Sequence, residues 1–112
     1  MSERDTSLLL EDMRTAITSI LTYTAGYDSE KYEADLKTRH AVERNFEIIG
    51  EAASRIPASY KALHADIEWR IIKDFRNFII HDYFGINHQI IWDTIQFRLP
   101  DLLTDITALL QS

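Results

Sequence analysis

Residues 36–55 have the sequence LKTRHAVERNFEIIGEAASR, which carries a helical period over most of its length. Its apolar residues recur at steps of three and four and so fall on one face of a helix: Val42, Phe46, Ile49, Ala53 and, just beyond, Ile56. A proline ring lacks an amide hydrogen and clashes with the preceding turn, so Pro57 is expected to end this helix. The stretch therefore predicts a long amphipathic helix with one face in a core.

The same period continues on both sides of this helix and predicts three more long helices. They span about residues 5–23, 69–83 and 88–110, and Pro100 is expected to interrupt the last one. The chain has only three glycines and two prolines, and no run alternates apolar and polar residues as a strand does. We therefore predict an all-α fold, one domain over residues 1–112, as an antiparallel bundle of four main helices plus short helical turns.

Short signals between these helices predict where they begin and end. Gly26 is expected to stop the first helix, because glycine readily adopts the left-handed conformation found at helix C-termini. Asp28 and Ser29 are expected to provide a cap for a short helical turn around residues 30–34. Residues 57–64 are predicted to form a loop or another short helical turn.

Charge, cysteine content and hydrophobicity exclude several classes of protein. The formal net charge is −6, which weighs against nucleic-acid binding unless basic residues cluster locally. The chain has no cysteine, and so no disulfide framework or thiolate chemistry. Its N-terminus lacks a signal-peptide pattern, and no apolar run approaches the ~20 residues of a membrane span. We therefore expect a cytoplasmic protein that does not enter a membrane.

The third predicted helix has two faces that both favour burial. Five apolar residues lie within about a third of its circumference and form the predicted core face: Ile71, Ile72, Phe75, Phe78 and Ile79. The rest of its surface mixes polar side chains with large apolar ones: Trp69, Arg76, Asn77, Ile80, His81, Tyr83 and Phe84. Such a mixture is unusual on a solvated surface and typical of an interface. We predict a homodimer formed through the Arg76–Tyr83 face.

An arginine and a histidine on one helix are often only structural or solvated residues, but Arg76 and His81 also have the chemistry that metal-free RNA cleavage needs. An arginine stays charged and binds two phosphate oxygens at once, and a histidine titrates near neutral pH and transfers protons. Asn77 can orient the phosphate or His81, because residues four apart are neighbours on a helix. Arg76 and His81 diverge by about 140° on a straight helix, so they converge only if the helix bends or if two chains meet.

Residues 76–83, RNFIIHDY, resemble the Arg-x-x-x-x-His-x-Tyr motif of the HepT toxins in the HEPN superfamily. The segment 44–53 resembles the second-helix segment of that family. The segments 67–70 and 91–102 resemble the approach to its active helix and its C-terminal part. The similarity covers most of the chain in the expected order and implies a single HEPN-type helical bundle.

This resemblance implies the toxin of a HEPN/MNT toxin–antitoxin pair, a metal-independent endoribonuclease that is active as a homodimer and needs no cofactor. Arg76 and His81 take the catalytic positions, and Asn77 takes a supporting one. Tyr83 takes the position to which the partner antitoxin transfers AMP. That partner is a minimal nucleotidyltransferase of the MntA type.

Two alternatives remain open at this point. The net charge of −6 is also consistent with a non-catalytic helical module that regulates or presents a nucleotidyltransferase. A charged stripe on the second helix is either a solvated face with weak ion pairs or part of the dimer contact or cleft. This stripe consists of His40, Arg44, Glu47, Glu51 and Arg55.

Overall fold

The computed structural model describes residues 3–81 and 87–111, with the backbone alone for residues 3, 4, 78, 80 and 81. These ranges form seven α-helices and no strand: α1 (Glu3–Tyr23), α2 (Ser29–Ala34), α3 (Leu36–Arg55), α4 (Ala58–Leu63), α5 (Trp69–His81), α6 (His88–Phe97) and α7 (Leu99–Gln111). The predicted all-α bundle is confirmed. No helix within these ranges combines the length and the apolar character that crossing a membrane requires.

The core forms around α3, which packs against both α1 and α5, while α7 packs against α1. Helix α1 contributes Met13, Ile17 and Ile20 to this core, and none of the three has exposed surface. The stripe predicted on α3 is buried throughout, and none of its residues is more than 5% exposed. The apolar spacing of α3 thus predicted its buried face correctly.

The signals predicted to end and begin helices behave as expected. Gly26 follows α1 with a φ of +79°, a left-handed conformation that favours glycine. The Asp28 carboxylate accepts a backbone hydrogen bond at 2.7 Å and so caps α2. Asp35, which was not predicted as a cap, caps α3 in the same way, and hydrogen bonds from the Tyr27 and Thr38 side chains lower the pKa of its carboxyl group to about 2.

The last predicted helix is divided into α6 and α7, as Pro100 leads one to expect. The division lies at Arg98, close to the predicted point. Pro100 is the second residue of α7, where its missing amide hydrogen removes no helical hydrogen bond. The Arg98 amide still donates to the Thr94 carbonyl at 2.9 Å, so the last turn of α6 keeps its backbone hydrogen bond.

The structure corrects the predicted faces of α5. Trp69, predicted on the face that a second chain covers, is only 8% exposed, and its indole nitrogen donates to the His64 carbonyl at 3.1 Å. Ile71, predicted in the core, is 51% exposed and lines a groove of about 350 Å³. The reason is that α5 packs chiefly against α3. The side of α5 that faces α3 is buried, and helical spacing alone does not show where that side lies.

Candidate active site

The helix α5 carries the predicted catalytic segment as far as His81 and is firmly held in the fold. The ring of Phe75 packs against the ring of Phe46 on α3, with 4.7 Å between their centroids. Ile79, two residues before the end of α5, has no exposed surface. The α-helix is continuous from Trp69 to His81. The segment therefore lies on one element whose position is set by core packing.

Arg76 lies half-buried where α5 packs against α3. Its aliphatic stem covers Gly50, so that a Cβ added to Gly50 would lie 2.7 Å from Arg76 Cγ and 2.8 Å from Arg76 Cδ. Within the described residues, its buried Nε has no hydrogen-bond partner, and no carboxylate forms an ion pair with it. Packing therefore positions this guanidinium group, and no anion of the described residues neutralises it.

The other predicted site residues are described less completely. Asn77 is half-buried and follows Arg76 on α5. His81 is the last residue of α5, and its backbone alone is described. Tyr83 lies outside the described residues, so its position at the edge of a cleft stays a prediction. On an uninterrupted helix, positions 76 and 81 lie about 140° apart around the axis.

Lysine residues extend the positive charge near Arg76. Lys73 precedes Arg76 by three residues, so the two are neighbours on α5. Burial, and then repulsion from Lys73, lower the pKa of Lys61 on α4. The Lys61 ammonium group also lies 6.0 Å from the centroid of the Trp69 ring. Lys61 and Lys73 are thus close enough to repel each other, while Glu68 and Asp74 line the same surface as Lys61.

The chain is similar to proteins of one described family. Residues 13–109 match the family model described as ribonuclease HepT-like. The chain belongs to the HepT-like ribonuclease family. A Thermococcus cleftensis protein provisionally named ribonuclease HepT is 41% identical to it over 93 residues, which cover 83% of this chain and 84% of that protein.

Two further relatives of this HepT-like chain have provisional names as RNases. One, from Methanocaldococcus jannaschii, is 30% identical over 111 residues, which cover 99% of this chain and 92% of that protein. The other, from Caldanaerobacter subterraneus, is 36% identical over 86 residues, 77% of each chain. No solved structure matches the chain significantly. The region matched by the family model includes all of residues 76–83, so the family assignment covers the candidate site.

This HepT-like chain also contains a buried polar cluster that the sequence pattern does not reveal. Arg39 Nη1 donates to His88 Nε2 at 2.7 Å and so joins α3 to the first residue of α6. Tyr32 is fully buried with its ring 5.6 Å from that of Trp92, and Glu43 is only 6% exposed. Among the described residues, the Tyr32 hydroxyl, Arg39 Nε and His88 Nδ1 are buried without a hydrogen-bond partner.

Burial shifts the pKa values of the titratable groups in this cluster. Desolvation, and then the Arg39 charge, lower the pKa of His88, whereas desolvation raises the pKa of both Glu43 and Tyr32. A neutral His88 fits the observed contact, because its Nε2 then accepts from Arg39 while Nδ1 carries the proton. The one sequence signal for the cluster is Tyr32, a lone aromatic residue in the otherwise polar short helix α2.

The charged stripe of α3 lies on the outside of this HepT-like chain. His40, Arg44, Glu51 and Arg55 are exposed. Arg44 Nη1 lies 3.2 Å from the Glu47 carboxylate, one helical turn away, and its side chain is 66% exposed. Such an exposed pair contributes little stability. Within one chain the stripe is a solvated face, and its coverage by a second chain stays a prediction.

Proposed function

We propose that this HepT-like protein is a metal-independent endoribonuclease and the toxin of a toxin–antitoxin pair. The observation that carries the proposal is the placement of Arg76, half-buried, held by packing on a rigid helix and without an ion-pair partner among the described residues. A fixed arginine with an un-neutralised charge is suited to bind phosphate. Relatives that carry the names of RNases support RNA as the substrate.

The proposed reaction is an attack of the ribose 2′-oxygen on the adjacent phosphorus. The O2′–P bond forms as the P–O5′ bond breaks, one proton leaves the 2′-hydroxyl and one reaches the departing 5′-oxygen. The products are a 2′,3′-cyclic phosphate and a free 5′-hydroxyl. His81 transfers protons, Arg76 binds the phosphate oxygens on which negative charge develops, and Asn77 orients the phosphate or the histidine. No metal ion or cofactor takes part.

A homodimer is part of the proposal because positions 76 and 81 lie about 140° apart around the axis of a straight helix. Two chains that meet through the Arg76–Tyr83 face bring Arg76 of one chain towards His81 of the other. The dimer then contains two such sites, each with Arg76 from one chain and His81 from the other. The catalytic unit is therefore the cleft between two chains.

Purified protein is expected to cleave RNA in the presence of EDTA. Arg76→Ala is expected to lower the rate by about a hundred-fold or more, because one preorganised group at the developing charge is worth this much. Arg70→Ala is the matched control, since the Arg70 side chain is 93% exposed on the same helix, and it should retain the wild-type rate. Cleavage that survives Arg76→Ala, or that EDTA abolishes, would contradict the proposal. Tight binding of a nucleotidyltransferase without any cleavage would favour the regulatory module instead.

The antitoxin is proposed to be a minimal nucleotidyltransferase of the MntA type. It transfers AMP from ATP to the Tyr83 hydroxyl: the phenolic oxygen bonds to the α-phosphorus, pyrophosphate leaves, and the phenolic proton passes to a base. Each AMP adds a bulky, negatively charged phosphodiester beside the cleft. The added phosphate competes with RNA for Arg76 and blocks access.

Incubation with such a nucleotidyltransferase and ATP is expected to raise the intact mass by whole AMP units and to stop RNA cleavage. Tyr83→Phe should gain no mass and should stay active, because it lacks the acceptor oxygen. Tyr23→Phe is the control, since Tyr23 is 46% exposed at the end of α1, and it should gain AMP like the wild type. A Tyr83→Phe protein that still gains AMP would place the acceptor elsewhere.

A further inference from the structure

Gly50 occupies the interior of α3, a position where glycine destabilises a helix relative to alanine. The contact with Arg76 explains its presence there. A Cβ on Gly50 would overlap Arg76 Cβ and would lie 2.7 Å and 2.8 Å from Cγ and Cδ. We propose that Gly50 is a positioning residue for the catalytic arginine, because the absence of its side chain leaves the space that the stem of Arg76 occupies. This inference rests on the proposed function.

The overlap at Gly50 cannot be relieved by a different rotamer of Arg76. It begins at the Arg76 Cβ, whose position is set by the backbone of α5 and not by a side-chain torsion. A side chain at position 50 must therefore push α5 away from α3. Two contacts resist this movement: the Phe46–Phe75 ring contact one residue before Arg76, and the burial of Ile79 three residues after it.

The close approach at Gly50 matters for chemistry because it holds the stem of Arg76 in one place. A long arginine side chain normally loses rotamer freedom when it binds a phosphate, and a stem that is already packed loses less. The buried Nε has no partner among the described residues, so packing rather than an ion pair sets the direction of the guanidinium group. Its terminal nitrogens are then presented to the phosphate in a fixed orientation.

The experiment compares Gly50→Ala with the wild type in RNA cleavage. A displacement of about 1 Å at a reacting group can cost about a hundred-fold in rate. We therefore expect kcat to fall by about this factor while KM changes little, since most RNA contacts remain. Ser54→Ala is the control on the same helix, because Ser54 is exposed and bonds only the local Glu51 carbonyl. It should keep the wild-type kcat.

A second measurement separates this contact from a general loss of stability. Arg76→Gly removes the stem and its Cβ and so empties the space beside Gly50. Gly50→Ala is expected to lower the melting temperature of the protein that has Arg76. In the Arg76→Gly background the same change should leave the melting temperature unchanged or raise it, because alanine then fits and favours the helix. This difference reports the contact directly, without any assay of cleavage.

A Gly50→Ala protein with the wild-type kcat would overturn the inference, as would equal losses of melting temperature in the two backgrounds. If Gly50→Ala does not fold, the double variant decides: a folded Gly50→Ala/Arg76→Gly protein supports the contact, and an unfolded one contradicts it. Failure of the proposed function has a different signature. In that case either the wild type cleaves no RNA or Arg76→Ala cleaves it like the wild type, while the coupling between the two positions is still measurable.

Discussion

A mixture of Arg76→Ala chains and His81→Ala chains is expected to recover RNA cleavage that neither variant shows alone. In a mixed dimer, one cleft combines the two substituted positions, and the other combines an intact Arg76 with an intact His81. Random pairing makes about half of the dimers mixed. Each mixed dimer has one intact site out of two, so the mixture should reach about a quarter of the wild-type rate. The measurement is cleavage after the two variants are co-expressed or refolded together.

This complementation tests the geometric argument from α5. The control is a mixture of Arg76→Ala with an Arg76→Ala/His81→Ala chain, which should stay inactive because no dimer contains an intact arginine. Two different affinity tags isolate the mixed dimers and show that they have formed. Mixed dimers without activity would mean that Arg76 and His81 of one chain act together. The helix would then have to bend between these two residues, whereas α5 is one continuous α-helix from Trp69 to His81.

Ile79→Ala is expected to destabilise the protein by about 2–5 kcal/mol, the usual cost of truncating a fully buried isoleucine to alanine. Ile79 has no exposed surface and lies three residues beyond Arg76, so the cavity forms in the packing that holds the candidate site in place. The measurement is urea denaturation, with the free energy of unfolding extrapolated to water. The loss is large because most domains of this size are stable by only about 5–15 kcal/mol.

Ile71→Ala is the matched control on the same helix. The Ile71 side chain is 51% exposed in the groove, and the expected loss is therefore below about 1 kcal/mol. Equal losses for the two substitutions would show that α5 is rotated relative to α3. A large loss for Ile71→Ala alone would show that something covers the groove, and sedimentation at several protein concentrations would reveal a second copy of the chain.

Much of the fold was predictable because its signals are local. The spacing of apolar residues located α1, α3 and α5, and Gly26, Asp28 and Pro100 indicated helix ends through their own backbone and side-chain chemistry. The candidate residues Arg76, Asn77 and His81 were also found in the sequence, as residue types at a set spacing, and the family assignment covers their segment. What they do stays a proposal.

The helical segments follow from the amino-acid sequence alone, because helix formation depends on neighbours within a few residues. The buried side of α5, in contrast, depends on how the helices pack: Ile79 is enclosed while Ile71 is exposed, although both belong to the predicted core arc. The same holds for the packing of Arg76 on Gly50 and for the bond between Arg39 and His88, two residues 49 positions apart. Such contacts depend on the distance and rotation between packed helices, and a periodicity within one helix does not contain either quantity.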